Sequence, residues 1–446
     1  MAPALPHGKS SGPLEPAPPV RPSTSEHPLH EELRAFNAFG KQTDVRHFSA
    51  GDAAVPVYVN EFWTAKQRAA NRLHEVSYRA CFKPQLPRFF IERLTRAGEA
   101  VFDPFMGRGT TLLEAALLGR IPLGCDANPL CGQLVAPRLT PPTLDEVRQR
   151  LSEIDFNVSS DCREDLLVFY HPSTLRQIAS LRAYLTHRSS TGTFDSLDAW
   201  IRMVALNRLT GHSAGFFSVY SLPPNQAVTI ESQQKINIRL KQSPPSRDVP
   251  AIILKKSKSL LGGLDGSSRK VLASVARDAI ILAASCQSLP AIPAASAALA
   301  VTSPPFLDVV DYATDNWLRC WFAGLEPGAI SLSIHRKPAD WQESMRAALA
   351  ETCRILRPGG WVAFEVGEVQ RGRILLDELV IPAGAAAGLI PELVLINAQK
   401  FTKTANCWGV RNNDLGTNTN RIVLFRKPPN PAGAGAKGGV AGKGTR

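Results

Sequence analysis

The chain has 446 residues, enough to bury the core of one large domain or of two ordinary ones. Lys and Arg outnumber Asp and Glu by 51 to 39, and the resulting formal net charge of +12 suits a polyanionic partner. No apolar run approaches the roughly 18 residues that span a bilayer, and the amino terminus lacks a signal-peptide pattern, so we expect a soluble, cytoplasmic protein.

Composition divides the chain into segments. Residues 1–30 are rich in Pro, Ser and Ala, and residues 428–446 are rich in Gly, Ala and Lys, so both are predicted to be disordered tails. The remaining chain is predicted to hold one α/β domain made of residues 47–142 and 266–427, with residues 143–265 inserted between its two parts.

The first predicted elements precede a glycine-rich turn. Val55–Phe62 is a strand candidate, placed at a sheet edge because Pro56 cannot donate a hydrogen bond to a neighbouring strand. A helix is predicted from Pro87 to Arg96, since Pro has a preset φ and is favoured in the first turn of a helix.

The most informative stretch is Glu99–Asn128, which reads as a strand, a glycine-rich turn, a helix and a second strand ending at Asp126. Gly107 and Gly109 allow the backbone to approach a ligand closely, and the helix that follows offers unpaired N–H groups to an anion. Asp126 stands about 20 residues after the first glycine, where a carboxylate can accept both hydroxyls of a ribose.

The third position of the glycine pattern separates the possible cofactors. A dinucleotide site requires a third glycine, and Leu112 occupies that place, which weakens the nicotinamide and flavin interpretations. The run Asp103–Thr111, followed by Asp126, resembles the S-adenosylmethionine site of the amino-group DNA methyltransferases. The resemblance implies a Rossmann-like methyltransferase sheet and a cofactor held by Asp103, Pro104, Phe105, Gly107, Gly109, Thr110, Asp126 and Asn128.

Two further cofactor contacts follow from the same resemblance. The segment containing Phe82 and Lys83 precedes the glycine turn, where the family closes over the cofactor carboxylate, and Lys83 supplies a cation there. A strand predicted at Lys270–Ala276 is followed by Asp278, which stands where the family has an acid for the cofactor's adenine amino group.

The insertion differs in kind from the flanking sequence. It is predicted to be largely helical, and it interleaves basic residues with Phe216, Phe217 and Tyr220, as phosphate neutralisation and base contact require. We interpret it as a target-recognition region, against the alternative of a solvated helical insertion with its own core. His212 stands between Gly and Ser, which favours a structural or phosphate-binding role over catalysis. The DNA contacts predicted here are Arg208, His212, Lys235 and Arg239.

A second decisive stretch is a small-residue strand, ending at Thr302, followed by Ser303-Pro304-Pro305-Phe306. The two prolines fix φ twice, so the turn presents its neighbours in set positions at the carboxyl end of the sheet. The Ser303 hydroxyl and the Pro304 carbonyl can accept hydrogen bonds from an exocyclic amine, and Phe306 offers a face for an extruded base. We predict these four residues to be catalytic and Thr302 to contact the cofactor.

The residue types also discriminate among methylation reactions. The 8 cysteines show no Cys-x-x-Cys spacing and no Pro-Cys pair, which predicts reduced thiols, no metal site and no cytosine-C5 chemistry. Within the resembled family, Ser before Pro-Pro is typical of cytosine-N4 enzymes, whereas Asp or Asn is typical of adenine-N6 enzymes. An adenine-N6 or RNA base methyltransferase would share every motif. An inactive nucleic-acid-binding regulator would be expected to have lost the glycine turn or the Pro-Pro turn.

The carboxyl-terminal part is predicted to complete the sheet. Trp361–Val366 is the fifth strand, with Glu365 and Glu368 bordering the site, and a polar loop precedes a closing strand at Arg421–Arg426. In that loop, Asn406 and Trp408 are predicted DNA contacts, against plain surface variation. The expected partners are double-stranded DNA and a cognate restriction endonuclease, unless the enzyme acts alone.

Overall fold

The computed structural model describes the chain between residues 27 and 430 with several gaps. The described residues are 27–50, 53–64, 70–79, 81–158, 163–222, 226–305, 312–326, 337–369, 374–398 and 420–430. Most of the two predicted tails lies outside these residues, as do Phe306, Asn406 and Trp408. Residues 28–30 are not part of a tail, because a helix begins at Pro28 and buries Leu29.

A nine-stranded sheet organises the molecule. In chain order its strands are β1 (Asp44–Ala50), β2 (Ala53–Asn60), β3 (Ala100–Asp103), β4 (Ile121–Asp126), β5 (Ile280–Ala283), β6 (Ala297–Thr302), β7 (Leu356–Val366), β10 (Ile390–Asn397) and β11 (Asn420–Arg426). Their order across the sheet is β1-β2-β10-β11-β7-β6-β3-β4-β5. The five strands from β7 to β5 are parallel, and β11 runs antiparallel to both of its neighbours. The fold is therefore the expected α/β class, with a mostly parallel central sheet.

Helices cover both faces of this sheet. They are α1 (Pro28–Ala35), α2 (Gln85–Leu94), α3 (Thr110–Leu117), α4 (Pro129–Leu139), α5 (Leu144–Glu153), α6 (Pro172–Ser190), α7 (Ser196–Leu206), α8 (Ile230–Leu240), α9 (Val249–Leu261), α10 (Gly266–Ala276), α11 (Tyr312–Ala323), α12 (Pro338–Ile355) and α13 (Leu376–Ala386). A short hairpin of β8 (Glu368–Val369) and β9 (Ile374–Leu375) follows β7. No helix of the described chain combines the length and apolar character needed to cross a membrane.

Local packing explains the glycine turn between β3 and α3. Gly109 has a φ of +72°, and a Cβ there would lie 2.4 Å from a methyl group of Val135 on α4. Leu112 fills the space beside Gly124 of β4, where an added Cβ would lie 2.5 Å from its Cδ1. The residue that departs from the dinucleotide pattern is therefore a packing residue that joins α3 to β4.

The inserted helices share a core with the helices that flank the glycine turn. One buried cluster combines Leu112 of α3 and Leu134 of α4 with Leu151 of α5, Trp200 of α7 and Ile253 of α9. The Trp200 indole donates a 3.0 Å hydrogen bond to the Ser257 hydroxyl, which fastens α7 to α9. The predicted helical character of this region is confirmed. Its apolar residues do not form a core of their own.

Two predictions about strands are wrong. Lys270–Ala276 lies in helix α10, whose amino terminus is capped by Asp265 and whose buried Leu272 and Val275 are three residues apart on one face. The third parallel strand is β5, which begins at Ile280. β2 is not an edge strand either, because β1 covers it on one side and β10 pairs with it on the other, from Val57 onward. Pro56 lies just before that pairing begins, so its missing N–H is tolerated.

Candidate active site

Four strands bring polar side chains to one edge of the sheet. The carboxyl ends of parallel strands meet at the same edge, so Asp103 of β3, Asp126 of β4 and Ser303 after β6 converge there with Glu365 near the end of β7. β11 runs in the opposite direction, and its first residue, Asn420, therefore lies at this edge too.

Asp103 and Thr302 connect two of these strand ends. The Thr302 hydroxyl donates to Asp103 Oδ1 at 2.6 Å, and the Phe105 amide donates to the same oxygen at 3.1 Å. Burial raises the pKa of Asp103 to about 7 against the effect of these hydrogen bonds. Thr302 is fully buried, so the structure places its hydroxyl on Asp103 and away from any surface that a cofactor could contact directly.

The glycine turn is held against Asp126. The Gly107 amide donates to Asp126 Oδ2 and the Asn128 amide donates to Oδ1, both at 2.9 Å. Burial raises the pKa of this carboxyl group, and the two amides act in the opposite direction. Gly107 has a φ of +48°, a left-handed conformation that favours glycine. Gly107, Phe105 and Asp126 remain partly exposed, so they form the accessible part of the turn.

Other residues of the predicted cofactor set are interior. Pro104, Gly109 and Thr110 are buried, and the Thr110 hydroxyl accepts a 3.2 Å hydrogen bond from Arg108. Asn128 is also buried: its side chain caps α4 by accepting the Leu130 amide at 3.0 Å and donates to the Tyr78 hydroxyl at 3.2 Å. Both polar ends of the Asn128 side chain are thus engaged within the protein, and the predicted cofactor contact of this residue stays a prediction.

Hydrogen bonds and an ion pair hold the segment upstream of the glycine turn in place. Arg108 donates to the Val76 carbonyl at 2.9 Å and to the Phe82 carbonyl at 3.4 Å. In the same segment, Arg79 forms a 2.6 Å ion pair with Asp315 of α11. Phe82 and Lys83 are half-buried, and burial, with Arg108 nearby, lowers the pKa of Lys83. Lys83 thus lies close to Arg108 of the glycine turn, and its contact with a cofactor stays a prediction.

The Pro-Pro turn is braced by neighbouring strands and helices. The Ser303 hydroxyl donates to Glu365, which also accepts a hydrogen bond from the Asn420 side-chain amide. Glu365 is 8% exposed, and burial raises the pKa of this carboxyl group despite the two hydrogen bonds. The Pro305 carbonyl accepts a 2.9 Å hydrogen bond from the buried Trp341 indole. These contacts hold Ser303 in one position.

Asn420, which bonds to Glu365, is a residue of this edge that no sequence motif predicted. It stands one residue before the predicted strand Arg421–Arg426, and only the pairing of Arg421 with Val366 brings it beside Glu365. No local pattern in the sequence predicts the register in which β11 pairs with β7.

Asp278 does not lie in the candidate site. It precedes β5, at the amino end of that strand, whereas Asp126 ends β4 at the opposite edge of the sheet. It is largely exposed and lies 3.7 Å from Arg277. The prediction was wrong because the strand was placed ten residues too early along the chain, which moved Asp278 to the wrong end of it. The carboxyl end of β5 instead carries Ala284 and Ser285.

The predicted DNA contacts divide into exposed and packed side chains. Lys235, Arg239 and His212 are exposed. Arg208 is half-buried with its guanidinium 4.1 Å from the centroid of the Phe216 ring, and burial, with Arg319 nearby, lowers its pKa to about 10. Phe216 and Phe217 are buried too, so the expectation that they interleave with basic groups on the surface is wrong. Tyr220 is 42% exposed.

The combination of these features defines a class of protein. A parallel sheet carries a glycine turn after β3, an acid after β4 and a rigid polar turn after β6 on one edge, as in enzymes that act with a nucleoside cofactor. Among the described residues, no group of three or more His, Cys, Asp or Glu could hold a metal ion.

A family model described as "DNA methylase" matches residues 36–133, which contain the upstream segment, the glycine turn and Asp126. The similarity to that family is thus confined to this segment of the chain.

Two curated proteins are similar over parts of the chain. The Type II methyltransferase M.MvaI of Kocuria varians is 25% identical over 148 residues, which cover 32% of this chain and 29% of that protein. The Type II methyltransferase M.MjaII of Methanocaldococcus jannaschii is 40% identical over 52 residues, which cover 12% of this chain and 10% of that protein. The similar segments thus span less than a third of either relative.

Among solved structures, geranyl diphosphate C-methyltransferase from Streptomyces coelicolor A3(2) is 7% identical, with a TM-score of 0.32 over 78% of each chain.

Proposed function

We propose that this protein transfers a methyl group from S-adenosylmethionine to the exocyclic amino nitrogen of a base flipped out of double-stranded DNA, with cytosine N4 as the target. The observation that carries the proposal is the hydrogen bond from Ser303 to Glu365, on a Pro-Pro turn beside the glycine turn. The similarity of residues 36–133 to the DNA methylase family supports this class of reaction.

The residues present fit the cofactor. The two oxygens of Asp126 accept backbone amides from Gly107 and Asn128, and each keeps a further lone pair for a ribose hydroxyl. Lys83 supplies a cation near the turn for the carboxylate of the methionine moiety. Helix α3 begins shortly after the carboxyl end of β3, so its amino terminus lies at this edge. No side chain caps it, which leaves its first amides available to an anion. When bound, S-adenosylmethionine supplies an electrophilic methyl group on a sulfonium.

The Pro-Pro turn orients the amine. Because the Ser303 hydroxyl donates its proton to Glu365, its oxygen lone pairs are left to accept a hydrogen bond from the target amino group. The Pro305 carbonyl is already bonded to Trp341, so the Pro304 carbonyl is the second acceptor that we assign to the amine. Two acceptors on one amino group fix the direction of the nitrogen lone pair.

The same residues remove the proton. Held at Asp126 and Lys83, S-adenosylmethionine would supply its methyl group and keep the carbon–sulfur electron pair as a thioether, which would leave one excess proton on the target nitrogen. The excess proton on nitrogen passes to Ser303 Oγ while the Ser303 proton passes to Glu365. The raised pKa of Glu365 makes this carboxylate a better base than an exposed one. Phe306 is proposed to stack on the flipped base.

The choice of cytosine rests on Ser303 standing before Pro-Pro, the pattern typical of cytosine-N4 enzymes in the resembled family. Both curated relatives carry the Type II description. We therefore extend the proposal to a cognate restriction endonuclease as a partner, with the enzyme acting in the cytoplasm.

Nucleoside mass spectrometry on DNA from a methylation-free host tests the proposal. We expect N4-methylcytosine with the wild-type chain and with Ser274→Ala, an exposed serine on α10, but at least tenfold less with Ser303→Ala. N6-methyladenine would keep the mechanism and overturn the base assignment. Absence of any modified base from well-expressed protein, with modification of RNA instead, would overturn DNA as the substrate.

A further inference from the structure

Helix α8 presents an unusual face to solvent. Gln234, Lys235, Ile238 and Arg239 are all exposed, and as two adjacent pairs four residues apart they lie on one side of the helix. Ile238 is 78% exposed, the highest value for a large hydrophobic side chain in the described chain. Ile230 and Ile236 are the isoleucines of α8 that pack against the core, so the exposure of Ile238 on the opposite face points to another use.

Polar contacts hold α8 in place. The Gln233 side chain, the only buried one of the helix, donates to the Tyr220 carbonyl at 3.0 Å. Asn237 donates to the Val168 carbonyl at 2.7 Å, and Gln242 donates to the Tyr220 carbonyl at 2.9 Å. Side-chain amides therefore anchor the inner face, which fixes the orientation of the outer face.

The charge of this surface is positive. Lys235 and Arg239 lie on the helix and Lys241 caps its end, whereas Glu231 in the first turn is its only acid. Within the part of the chain that the structure describes, no ion pair joins any of the three cations to an acid. Lys241 has a φ of +48°, a left-handed conformation that a glycine would adopt without strain. A cation at this strained position is consistent with a binding role.

The residues just before α8 contact helix α11, which follows the Pro-Pro turn. The Ala227 amide donates to the Asp315 carbonyl at 3.0 Å, and the Trp317 indole donates to the Val228 carbonyl at 3.2 Å. Both acceptor and donor belong to α11, which begins seven residues after Pro305. The carboxylate of Asp315 also pairs with Arg79, four residues before Lys83. The loop before α8 is thus fastened to the helix that follows the catalytic turn.

We propose that α8 is the element that enters the major groove of the target duplex and reads its sequence; this inference rests on the proposed DNA methyltransferase function. A helix fits the roughly 12 Å width of that groove. Arg and Gln side chains pair with guanine and adenine edges, an aliphatic side chain contacts the thymine methyl group, and Lys neutralises phosphates. We assign base contacts to Gln234, Ile238 and Arg239 and phosphate contacts to Lys235 and Lys241.

Duplex DNA is the occupant that the observations favour. Three cations and exposed amide and aliphatic groups match a phosphate-lined groove that displays base edges. The major groove of A-form RNA is too narrow to admit a helix, so RNA would not use this face in the same way. The centre of a protein–protein interface is commonly depleted of charged residues, whereas Lys235, Arg239 and Lys241 stand on or at the end of this helix.

Two double variants and a matched control test the inference in the full-length protein. Lys235→Ala/Arg239→Ala removes two cations from α8, and Lys270→Ala/Arg277→Ala removes two exposed cations from α10 and the turn that follows it. Gln234→Ala/Ile238→Ala removes the remaining base contacts without changing charge. The methylated motif is determined by single-molecule sequencing of genomic DNA from a methylation-free host. Affinity is then measured on a duplex with that motif over a range of salt concentrations.

We expect Gln234→Ala/Ile238→Ala to make the motif degenerate at one position or more, with a loss in affinity of about fivefold or greater. Lys235→Ala/Arg239→Ala should reduce the slope of log affinity against log salt by about 1, for the phosphate contact of Lys235, and should relax the motif at the position that Arg239 reads. The α10 control should keep the motif, the affinity and the slope. Lys241→Gly should weaken binding while keeping or raising the Tm, which separates binding from folding.

Several outcomes would overturn the inference. If wild-type protein methylates DNA and the α8 variants keep its motif, affinity and slope, α8 does not read DNA and only this inference fails. Equal losses in the α10 control would point to a diffuse charge effect. Tighter binding of the wild-type chain to duplex RNA than to duplex DNA would exclude the assigned groove. If the wild-type chain methylates no DNA, the proposed function fails and this inference fails with it.

Discussion

Thr302 and Asp103 join the ends of β6 and β3 through a 2.6 Å hydrogen bond between two buried side chains. The bond places the residue before the Pro-Pro turn directly beside the last residue of β3, which precedes the glycine turn. The cofactor half and the base half of the proposed site are therefore aligned by one side-chain contact between adjacent strands.

Replacing Thr302 with Val should destabilise the protein. The substitution keeps the shape of the side chain and removes the hydroxyl, which leaves Asp103 with a lost hydrogen bond in a buried position. We expect a decrease of about 1–3 kcal/mol in the free energy of unfolding, measured by urea denaturation. The exposed Thr193→Val should change it by less than about 0.5 kcal/mol. Equal decreases in the two variants would show that the buried hydrogen bond stabilises the protein no more than an exposed threonine hydroxyl does.

The pKa of Asp103 predicts a pH dependence of stability. The pKa is raised to about 7 in the folded state, above the value of about 3.9 expected when unfolded, so the folded state binds the extra proton between these values. The contribution of Asp103 to stability should therefore fall as pH rises from about 4 to about 7, by an amount of order 4 kcal/mol.

Asp103→Asn provides the comparison. Urea unfolding of both proteins from pH 5 to pH 8 should show the stability of the wild type falling relative to that of the variant up to about pH 7, and a constant difference above it. The two curves running parallel throughout would mean that Asp103 is ionised in the folded protein at pH 5.

Glu365→Gln should slow methyl transfer with little change in KM. The amide can still accept a hydrogen bond from Ser303 but cannot take up its proton. We expect kcat to fall by about 10²–10⁴-fold. The wild-type rate should rise with pH through the raised pKa of Glu365, and this rise should be absent in the variant.

Single-turnover kinetics with a methylated-strand readout would measure both effects. The exposed Glu378→Gln is the matched control and should keep the wild-type rate and pH profile. If Glu365→Gln retains the full rate, the proton leaves by another route and Glu365 only positions Ser303.

Gly109→Ala should destabilise the glycine turn by two separable effects. The added Cβ would lie 2.4 Å from Val135 Cγ2, and the residue would keep a φ of +72° that alanine disfavours. We expect a loss of about 2–4 kcal/mol, from overpacking and left-handed backbone together. Val135→Ala in the same chain should recover the part due to the clash but not the part due to φ. A double mutant no more stable than Gly109→Ala would assign the whole effect to the backbone.

Local patterns predicted the strand, turn, helix and strand around Gly107, because its glycines, helix start and terminal acid all fall within one short stretch. The Pro-Pro turn was equally visible, since two prolines fix its backbone. Its surroundings were not visible. Glu365, Ser303 and Asn420 meet only because three strands far apart in sequence adopt one register.

The errors also have physical causes. The apolar residues of Lys270–Ala276 fit a short strand as well as one helical face, and the Asp265 cap that decides for a helix lies outside that window. In the insertion, basic and aromatic residues alternate along the chain. Folding buries Phe216 under Arg208 and leaves Lys235 exposed, a distinction that composition alone does not carry.

The common core of the inserted helices and α3 has a consequence for how new specificities arise. Trp200 of α7 and Leu112 beside the glycine turn belong to the same buried cluster, so the insertion is not a cassette that can be exchanged between relatives without disturbing the cofactor half. Substitutions confined to the solvent side of α8 avoid that cluster. With α8 as the proposed reader of the DNA sequence, divergence or engineering of the target sequence should therefore proceed by point changes on this helix rather than by recombination of modules.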